Sequence, residues 1–266
     1  QGATDSNGIG DFNYIESGFL ALCSSNLPDT TISPNQDTQA DDHFNTFLNT
    51  GDGTSDRNIA LNTFTSDWSW NKGRSQVINN TLIDTSRRNG DNFPNLHSNT
   101  TDAEANDTHP KIITNGIQVS GGLDNNNGVG FVVWTWKANG GTTSSNTDGS
   151  ITSTVQANQT AGFSIVTYTG NSTAGATIGH SLGVKPAMII IKRRTGVAQD
   201  WMVYHHKNTS DPATDYLSIN RSHTTLDTNV IWNDTEPNTS VITLGGHDSI
   251  NQNTQSHVAY VFAEIE

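Results

Sequence analysis

The sequence has a single cysteine, Cys23, so no disulfide bond can form within the chain. This excludes the small secreted scaffolds whose folds depend on disulfide bonds. Basic residues are also few: 13 Lys and Arg stand against 26 Asp and Glu, and the formal net charge is -13. Because an acidic surface repels nucleic-acid phosphates and anionic membranes, we expect neither as a partner. No apolar run approaches the roughly 18 residues that a membrane span needs, so no membrane insertion is expected.

Neutral polar residues fill much of the remaining chain. Hydrophobic residues make up 32% and charged residues 15% of the sequence, and Asn, Thr, Ser and Gly are conspicuous in the rest. Gly and Asn accept the positive φ angles of tight turns, and Thr favours extended strands. Spaced clusters of Val, Ile, Phe and Trp argue against disorder. No segment has the apolar period of about 3.6 residues that marks a helix. The composition therefore predicts an all-β fold made of many short strands.

Two stretches of the sequence share a distinctive pattern. Residues 121–136 are GGLDNNNGVGFVVWTW, and residues 245–262 are GGHDSINQNTQSHVAYVF. Both begin Gly-Gly-x-Asp, which aligns Asp124 with Asp248, continue through a polar turn and end in an alternating aromatic strand. Other landmarks keep the same order, and Trp68 aligns with Met188. Because the spacing between matched landmarks drifts only slowly along the chain, we interpret the pattern as an internal duplication.

The duplication predicts two tandem, related β-sandwich units of jelly-roll-like character, since each half has short strands separated by regular turn signals. Alternating residues such as Trp68 and Trp70 would line the inner face of each sandwich. The 121–136 stretch is interpreted as a closing hairpin, and Asn115-Gly116 predicts a further one. The predicted boundaries are 1–42 for an N-terminal arm and linker, 43–141 for the first repeat, 142–160 for a linker and 161–266 for the second repeat.

Several phrases of the sequence carry a resemblance to a known family. They are TGDGTSDRNI, DWSWNKGR and VVWTWKANGG in the first half, and ATIGHSLGVKPAMIIIKRR, DWMVYH and HVAYVFAEIE in the second. These phrases resemble a largely uncharacterised β-rich repeat domain of virion structural and tail-appendage proteins of marine tailed bacteriophages. Residues 6–28 resemble the end of a SPRY- or laminin-G-like module. The resemblance covers nearly the whole chain and implies a structural or receptor-facing role on the virion, without catalysis.

The residues themselves give little support to catalysis or to metal binding. The Asp residues fall mostly in turn sequences, where Asp stabilises the local backbone, and no Gly-x-Ser-x-Gly elbow is present. Calcium held by Asp52 and Asp56, or by Asp124 and Asn126, is chemically reasonable, but ordinary turns are the simpler interpretation. We therefore expect no catalytic residues, no metal and no cofactor.

A partner is expected at two polar loops. Trp232 stands beside the polar sequence NDTEPNTS and could present its ring to a sugar, and the Asn-rich loop lies at the tip of the 121–136 stretch. The ligand or receptor candidates are Trp232, Asn233, Asp234, Asn125, Asn126 and Asn127.

These observations together favour a non-enzymatic phage virion protein of a tail fibre, appendage or capsid surface. It would contact other virion proteins and copies of itself, as a trimer, and a host surface glycan. One alternative is a carbohydrate-binding module or adhesin, and another is a subunit of a self-assembling extracellular filament. A polysaccharide depolymerase has the least support.

Overall fold

The computed structural model describes residues 39–60, 64–122 and 124–264. Most of the predicted arm, the stretch at 6–28 and Cys23 lie outside these residues. Within them nearly all regular structure is antiparallel β-sheet, which confirms the all-β prediction. No helix in these ranges is long and apolar enough to cross a membrane.

The first half of the chain forms a large sheet and a small sheet. The large sheet has the strand order β1-β8-β3-β4-β5, and the small sheet has the order β2-β7-β6. The strands are β1 (Phe44–Thr50), β2 (Arg57–Ala60), β3 (Trp68–Gly73), β4 (Thr81–Asp84), β5 (Leu96–His97), β6 (Lys111–Ile113), β7 (Gly116–Val119) and β8 (Gly130–Trp136). The β6–β7 pair is the hairpin predicted from Asn115-Gly116, and Asn115 adopts a φ of 53° in its turn. Short 3-10 turns occupy Ala40–Asp42 and Thr85–Arg87.

The second half forms a large sheet of order β14-β13-β18-β11-β10-β9 and two-stranded sheets β12-β17 and β15-β16. The strands are β9 (Ser144–Asn146), β10 (Ser153–Asn158), β11 (Phe163–Thr169), β12 (Ala176–Gly179), β13 (Pro186–Arg193), β14 (Met202–His205), β15 (Asp215–Tyr216), β16 (Leu226–Asp227), β17 (Val241–Leu244) and β18 (Ser256–Ala263). Two one-turn helices, α1 (Asn229–Trp232) and α2 (Asp248–Asn251), flank β17.

Strand order and register confirm the predicted duplication. The order β1-β8-β3-β4 of the first repeat recurs as β11-β18-β13-β14 in the second, and β2-β7 recurs as β12-β17. Facing Cα pairs also correspond between the repeats. They are Phe44–Trp136 and Phe163–Phe262, Trp68–Trp136 and Met188–Phe262, and Ile59–Ile117 and Ile178–Ile242.

Matched glycines explain why the Thr-Gly landmark occurs twice. Gly51 directly follows β1 and Gly170 directly follows β11, and each lies against the loop that precedes the last strand of its large sheet. A Cβ atom on Gly51 would lie 2.1 Å from the Asn126 carbonyl oxygen, and one on Gly170 would lie 2.4 Å from the Gln252 carbonyl oxygen. No side chain fits at such distances, so the close backbone approach requires glycine in both repeats.

The aromatic faces of the two large sheets pack against each other, while each small sheet covers the opposite face of its own large sheet. Trp68 is fully buried at this interface. Its ring centroid lies 4.2 Å from that of Tyr260 and 5.7 Å from that of Phe163. The prediction that Trp68 and Trp70 line the inside of one sandwich was therefore wrong. The pattern identified residues that share a face, but that face forms the junction between repeats.

Two further expectations were wrong. Residues 142–160 are not a free linker, because they include β9 and β10, and β10 pairs with β11 at the edge of the large sheet. The 121–136 stretch is not a hairpin, because β7 and β8 belong to different sheets. It crosses between layers, as does the connection from β17 to β18.

Candidate binding groove

The ring of Trp232 is buried and cannot serve as a sugar platform. The residue is 2% exposed and lies in the core of the second repeat. Its Nε1 donates a hydrogen bond to the Asp215 carbonyl at 3.0 Å, and its ring meets Tyr204 edge-on at 5.9 Å. The polar loop after Trp232 suggested exposure, but the one-turn helix α1 directs the indole inward. The two following candidates do reach the surface: Asn233 is half-buried and Asp234 is exposed, both with left-handed backbone.

The Asn-rich loop divides into a structural residue and two residues nearer the surface. Asn125 is fully buried, and its Nδ2 donates to the Thr54 carbonyl at 2.9 Å. The second repeat has the same contact, from Asn251 Nδ2 to the Thr173 carbonyl at 2.9 Å. Asn125 therefore holds the layer crossing together and is not a ligand site. Asn126 is half-buried and Asn127 is exposed.

The same comparison corrects the alignment of Asp124 with Asp248. Since Asn125 corresponds to Asn251, the residue before it corresponds to Ile250, and Asp248 instead begins α2. The Gly-Gly-x-Asp motif thus occurs twice in the sequence, but its two Asp residues do not occupy matching positions in the structure.

The candidate calcium loop at Asp52 is an ordinary hydrogen-bonded turn. One carboxylate oxygen of Asp52 accepts from the Thr54 backbone N–H at 2.9 Å and from Asn125 Nδ2 at 2.8 Å. Hydrogen bonds from Thr54 and then from Asn125 lower the pKa of Asp52 to about 2. Across the described ranges no three His, Cys, Asp or Glu side chains are grouped closely enough to hold a metal ion.

An open groove lies where the first large sheet extends beyond the second. Its cavity has a volume of about 580 Å³. Aromatic side chains from three neighbouring strands form much of its surface, and polar side chains stand at one end. Its lining residues are Phe44, Trp70, Lys72, Asn80, Ser98, Trp134, Trp136 and Ile219. We call this feature the aromatic groove.

Strand register places the rings of the aromatic groove side by side. Trp70 on β3 faces Trp134 on β8, and their ring centroids lie 5.9 Å apart at an angle of 67°. Trp70 Nε1 donates to Ser98 Oγ at 3.2 Å, which fixes its indole. Phe44 on β1 is 39% exposed, and the tryptophans are half-buried. Aromatic faces therefore remain open to a ligand.

The second repeat, as far as residue 264, has no equivalent of the aromatic groove. The positions that match Trp70 and Trp134 carry Ile190 and Tyr260, and both are buried at the junction. Sequence reasoning missed the groove because it assigned the alternating tryptophans to a closed core. The available signal was the replacement of indoles by an aliphatic and a phenolic side chain in the second copy.

Comparison with known proteins places both repeats in one family. The family model described as "Domain of unknown function (DUF7483)" matches residues 39–266. The chain belongs to the DUF7483 family. No curated protein and no solved structure matched it. The match spans both repeats, so the paired large sheets lie within the DUF7483 domain.

A buried ion cluster in this DUF7483 domain joins the two repeats. Arg87 Nε lies 2.5 Å from Asp84 Oδ2 and its Nη1 lies 2.7 Å from Glu104 Oε2. Tyr260 of the second repeat donates its hydroxyl to Asp84 Oδ2 at 2.7 Å. Burial alone would lower the pKa of Arg87, but Asp84, Tyr260 and Glu104 raise it above the ordinary value, so the guanidinium stays charged. The hydrogen-bonding groups of these side chains are satisfied within the cluster, so the cluster stabilises the junction of the repeats.

Proposed function

We propose that this DUF7483 domain is a non-enzymatic structural component of a tailed-phage virion, in a tail fibre, an appendage or the capsid surface. The observation that carries the proposal is the junction of the repeats. Stacked aromatic rings and a buried ion cluster join two copies of one unit into a single body. Such a body holds its two repeats together without a disulfide bond within the chain, which suits a building block of an extracellular particle. The sequence resemblance supports the same role.

Purified particles test this role directly. Mass spectrometry of virions banded by density is expected to detect peptides from both repeats, and labelled antibody is expected to mark one site on the particle by electron microscopy. Peptides found only in lysate and never in purified particles would remove the proposal. Sedimentation of the isolated chain tests self-association, and a trimer is expected. A monomer at every concentration would contradict the expectation that this chain associates with copies of itself.

The aromatic groove favours a second candidate function, which is recognition of a host surface glycan. The C–H faces of a sugar ring are apolar and pack against the electron-rich faces of indoles. The groove offers such faces on Trp134 and Trp136, and Lys72, Asn80 and Ser98 supply donors and acceptors for hydroxyl groups. A few polar groups beside aromatic walls are typical of small-ligand sites.

A pair of variants tests glycan recognition. Trp134→Ala is expected to lower binding to host polysaccharide at least tenfold, since loss of one stacked ring removes about 1.4 kcal/mol or more. Val197→Ala is the control because Val197 is 74% exposed and lies outside the groove. Near-ultraviolet circular dichroism checks that both variants stay folded. Equal loss in both variants, or no binding of the wild type to any host polysaccharide, contradicts this candidate.

A further inference from the structure

One segment of the first repeat crosses onto the second repeat. We call residues 96–105 the strap. The strap lies along the connection from β13 to β14: its Thr101 carbonyl accepts hydrogen bonds from the Gln199 backbone N–H at 3.0 Å and from Lys192 Nζ at 2.8 Å. Its His97 carbonyl accepts a hydrogen bond from Trp201 Nε1 at 2.9 Å. The second repeat therefore presents a surface that binds an extended segment.

Charged groups hold the strap at its far end. The Glu104 carboxylate accepts hydrogen bonds from Arg194 Nε at 2.8 Å and from Arg194 Nη2 at 2.9 Å, and the Glu104 backbone N–H donates to the Arg194 carbonyl at 2.8 Å. Burial acts to raise the pKa of Glu104, but Arg194 and Arg87 lower it below the ordinary value. Lys192 is fully buried beneath the strap. Two contacts thus define this site: a lysine ammonium bound to a backbone carbonyl of the strap, and an arginine guanidinium bound to a carboxylate of the strap.

The first repeat has the same two cations in the same places. The backbone N–H of Arg74 donates to the Gly130 carbonyl at 2.7 Å, and that of Arg194 donates to the matching Ser256 carbonyl at 2.8 Å. Arg74 therefore corresponds to Arg194, and Lys72, two residues earlier in the chain, corresponds to Lys192. Here, however, Lys72 and Arg74 are both exposed. In the described part of the chain, neither lies within ion-pair distance of a carboxylate.

A depression of about 770 Å³ surrounds these cations. Its walls include Lys72, Arg74, Val77, Ile78, Asn80 and Asn99. We call it the Arg74 shelf. Lys72 Nζ donates a hydrogen bond to Asn80 Oδ1 at 3.3 Å. This bond is longer than the 2.8 Å bond that Lys192 Nζ donates to the strap. Two cations without an ion pair in one depression are complementary to an acidic occupant.

We propose that the Arg74 shelf docks an extended acidic segment of a neighbouring protein subunit, bound as the strap is bound on the second repeat. The segment presents a backbone carbonyl to Lys72 and, three residues further along, a carboxylate to Arg74, in the spacing of Thr101 and Glu104. The shelf also lacks one contact of the filled site. Asn80 replaces Trp201, so the indole contact to the start of the strap is absent and the charged end carries the recognition. The inference stands on the comparison between repeats and does not depend on glycan binding.

A capped peptide with the sequence of residues 96–105, LHSNTTDAEA, tests the proposal. It is titrated to several millimolar into the isotope-labelled chain while backbone amide shifts are followed by NMR. We expect saturable shifts at residues 72–80. The Arg74→Met protein, or a peptide with Gln in place of Glu104, is expected to bind about tenfold more weakly, because a charge-assisted hydrogen bond is lost. Arg88→Met is the matched control, since Arg88 is an exposed arginine outside the shelf.

Each remaining outcome overturns the proposal. A scrambled peptide of equal charge that binds as well would reduce the effect to general electrostatic attraction. Shifts restricted to residues 190–201 would mean that the peptide only competes with the strap at its own site. An oligogalacturonate that binds the shelf more tightly than the peptide, with the same dependence on Arg74, would assign the shelf to an acidic glycan. Absence of shifts at 72–80 at the highest peptide concentration would refute docking of such a segment.

Discussion

Replacing Arg87 with methionine tests the energetic role of the ion cluster between the repeats. Methionine keeps an apolar stem of similar length but removes the cation that lies 2.5 Å from Asp84 Oδ2 and 2.7 Å from Glu104 Oε2. The Asp84 side chain is 0% exposed, so its carboxylate would remain buried without its counterion. Breaking a buried pair in this way costs about 3–5 kcal/mol. Natural domains are stable by only about 5–15 kcal/mol, so the loss would be a large fraction of the total.

Urea denaturation followed by tryptophan fluorescence measures this change, and we expect the unfolding midpoint to fall sharply. Arg88→Met is the control because its ion pair with Asp91 is exposed, and such pairs contribute about 1 kcal/mol or less. The double variant Asp84→Asn/Arg87→Met removes both charges and is expected to recover part of the loss. A cost below about 1 kcal/mol for Arg87→Met, or no recovery in the double variant, would refute the view that the cluster stabilises the junction through paired buried charge.

Two further predictions concern buried polar side chains. His257 is fully buried and stacked on Tyr168, and burial lowers its pKa from 6.5 to about 4. The unfolded chain therefore binds a proton at higher pH than the folded chain, so the stability that is present above pH 6.5 is lost as the pH falls towards 4. His257→Phe should flatten this loss, of roughly 3 kcal/mol at most, in urea titrations at pH 7 and 4.5, whereas exposed His223→Phe should not. Asn251→Ala removes the hydrogen bonds that its Nδ2 donates to the Thr173 and Gly245 carbonyls and should cost about 2–3 kcal/mol, as should Asn125→Ala at the matching position. Exposed Asn253→Ala is the control, and an equal cost there would contradict the assigned role of the buried amides.

The strand content, the internal repeat and one hairpin could be predicted from the sequence. Thr-Gly recurs because both glycines lie too close to a facing backbone for any side chain. The same geometric requirement therefore selects glycine at the matching position of each repeat. Asn115-Gly116 indicated its hairpin because a left-handed turn residue was needed there. Such requirements are local, or are repeated at matched positions, and both kinds can be recognised in a single sequence.

The tertiary structure alone decided which faces are covered. Both faces of β8 are apolar, with Phe131 and Val133 on one side and Val132, Trp134 and Trp136 on the other, so alternation could not distinguish a sandwich interior from the junction of the repeats. The small sheet covers the first face, and the second large sheet covers part of the other, which leaves the aromatic groove at its margin. The burial of Trp232 was also predicted wrongly, because α1 is a four-residue helix and is too short to show an apolar period. Burial depends on what packs against a residue, and that partner is distant in the sequence.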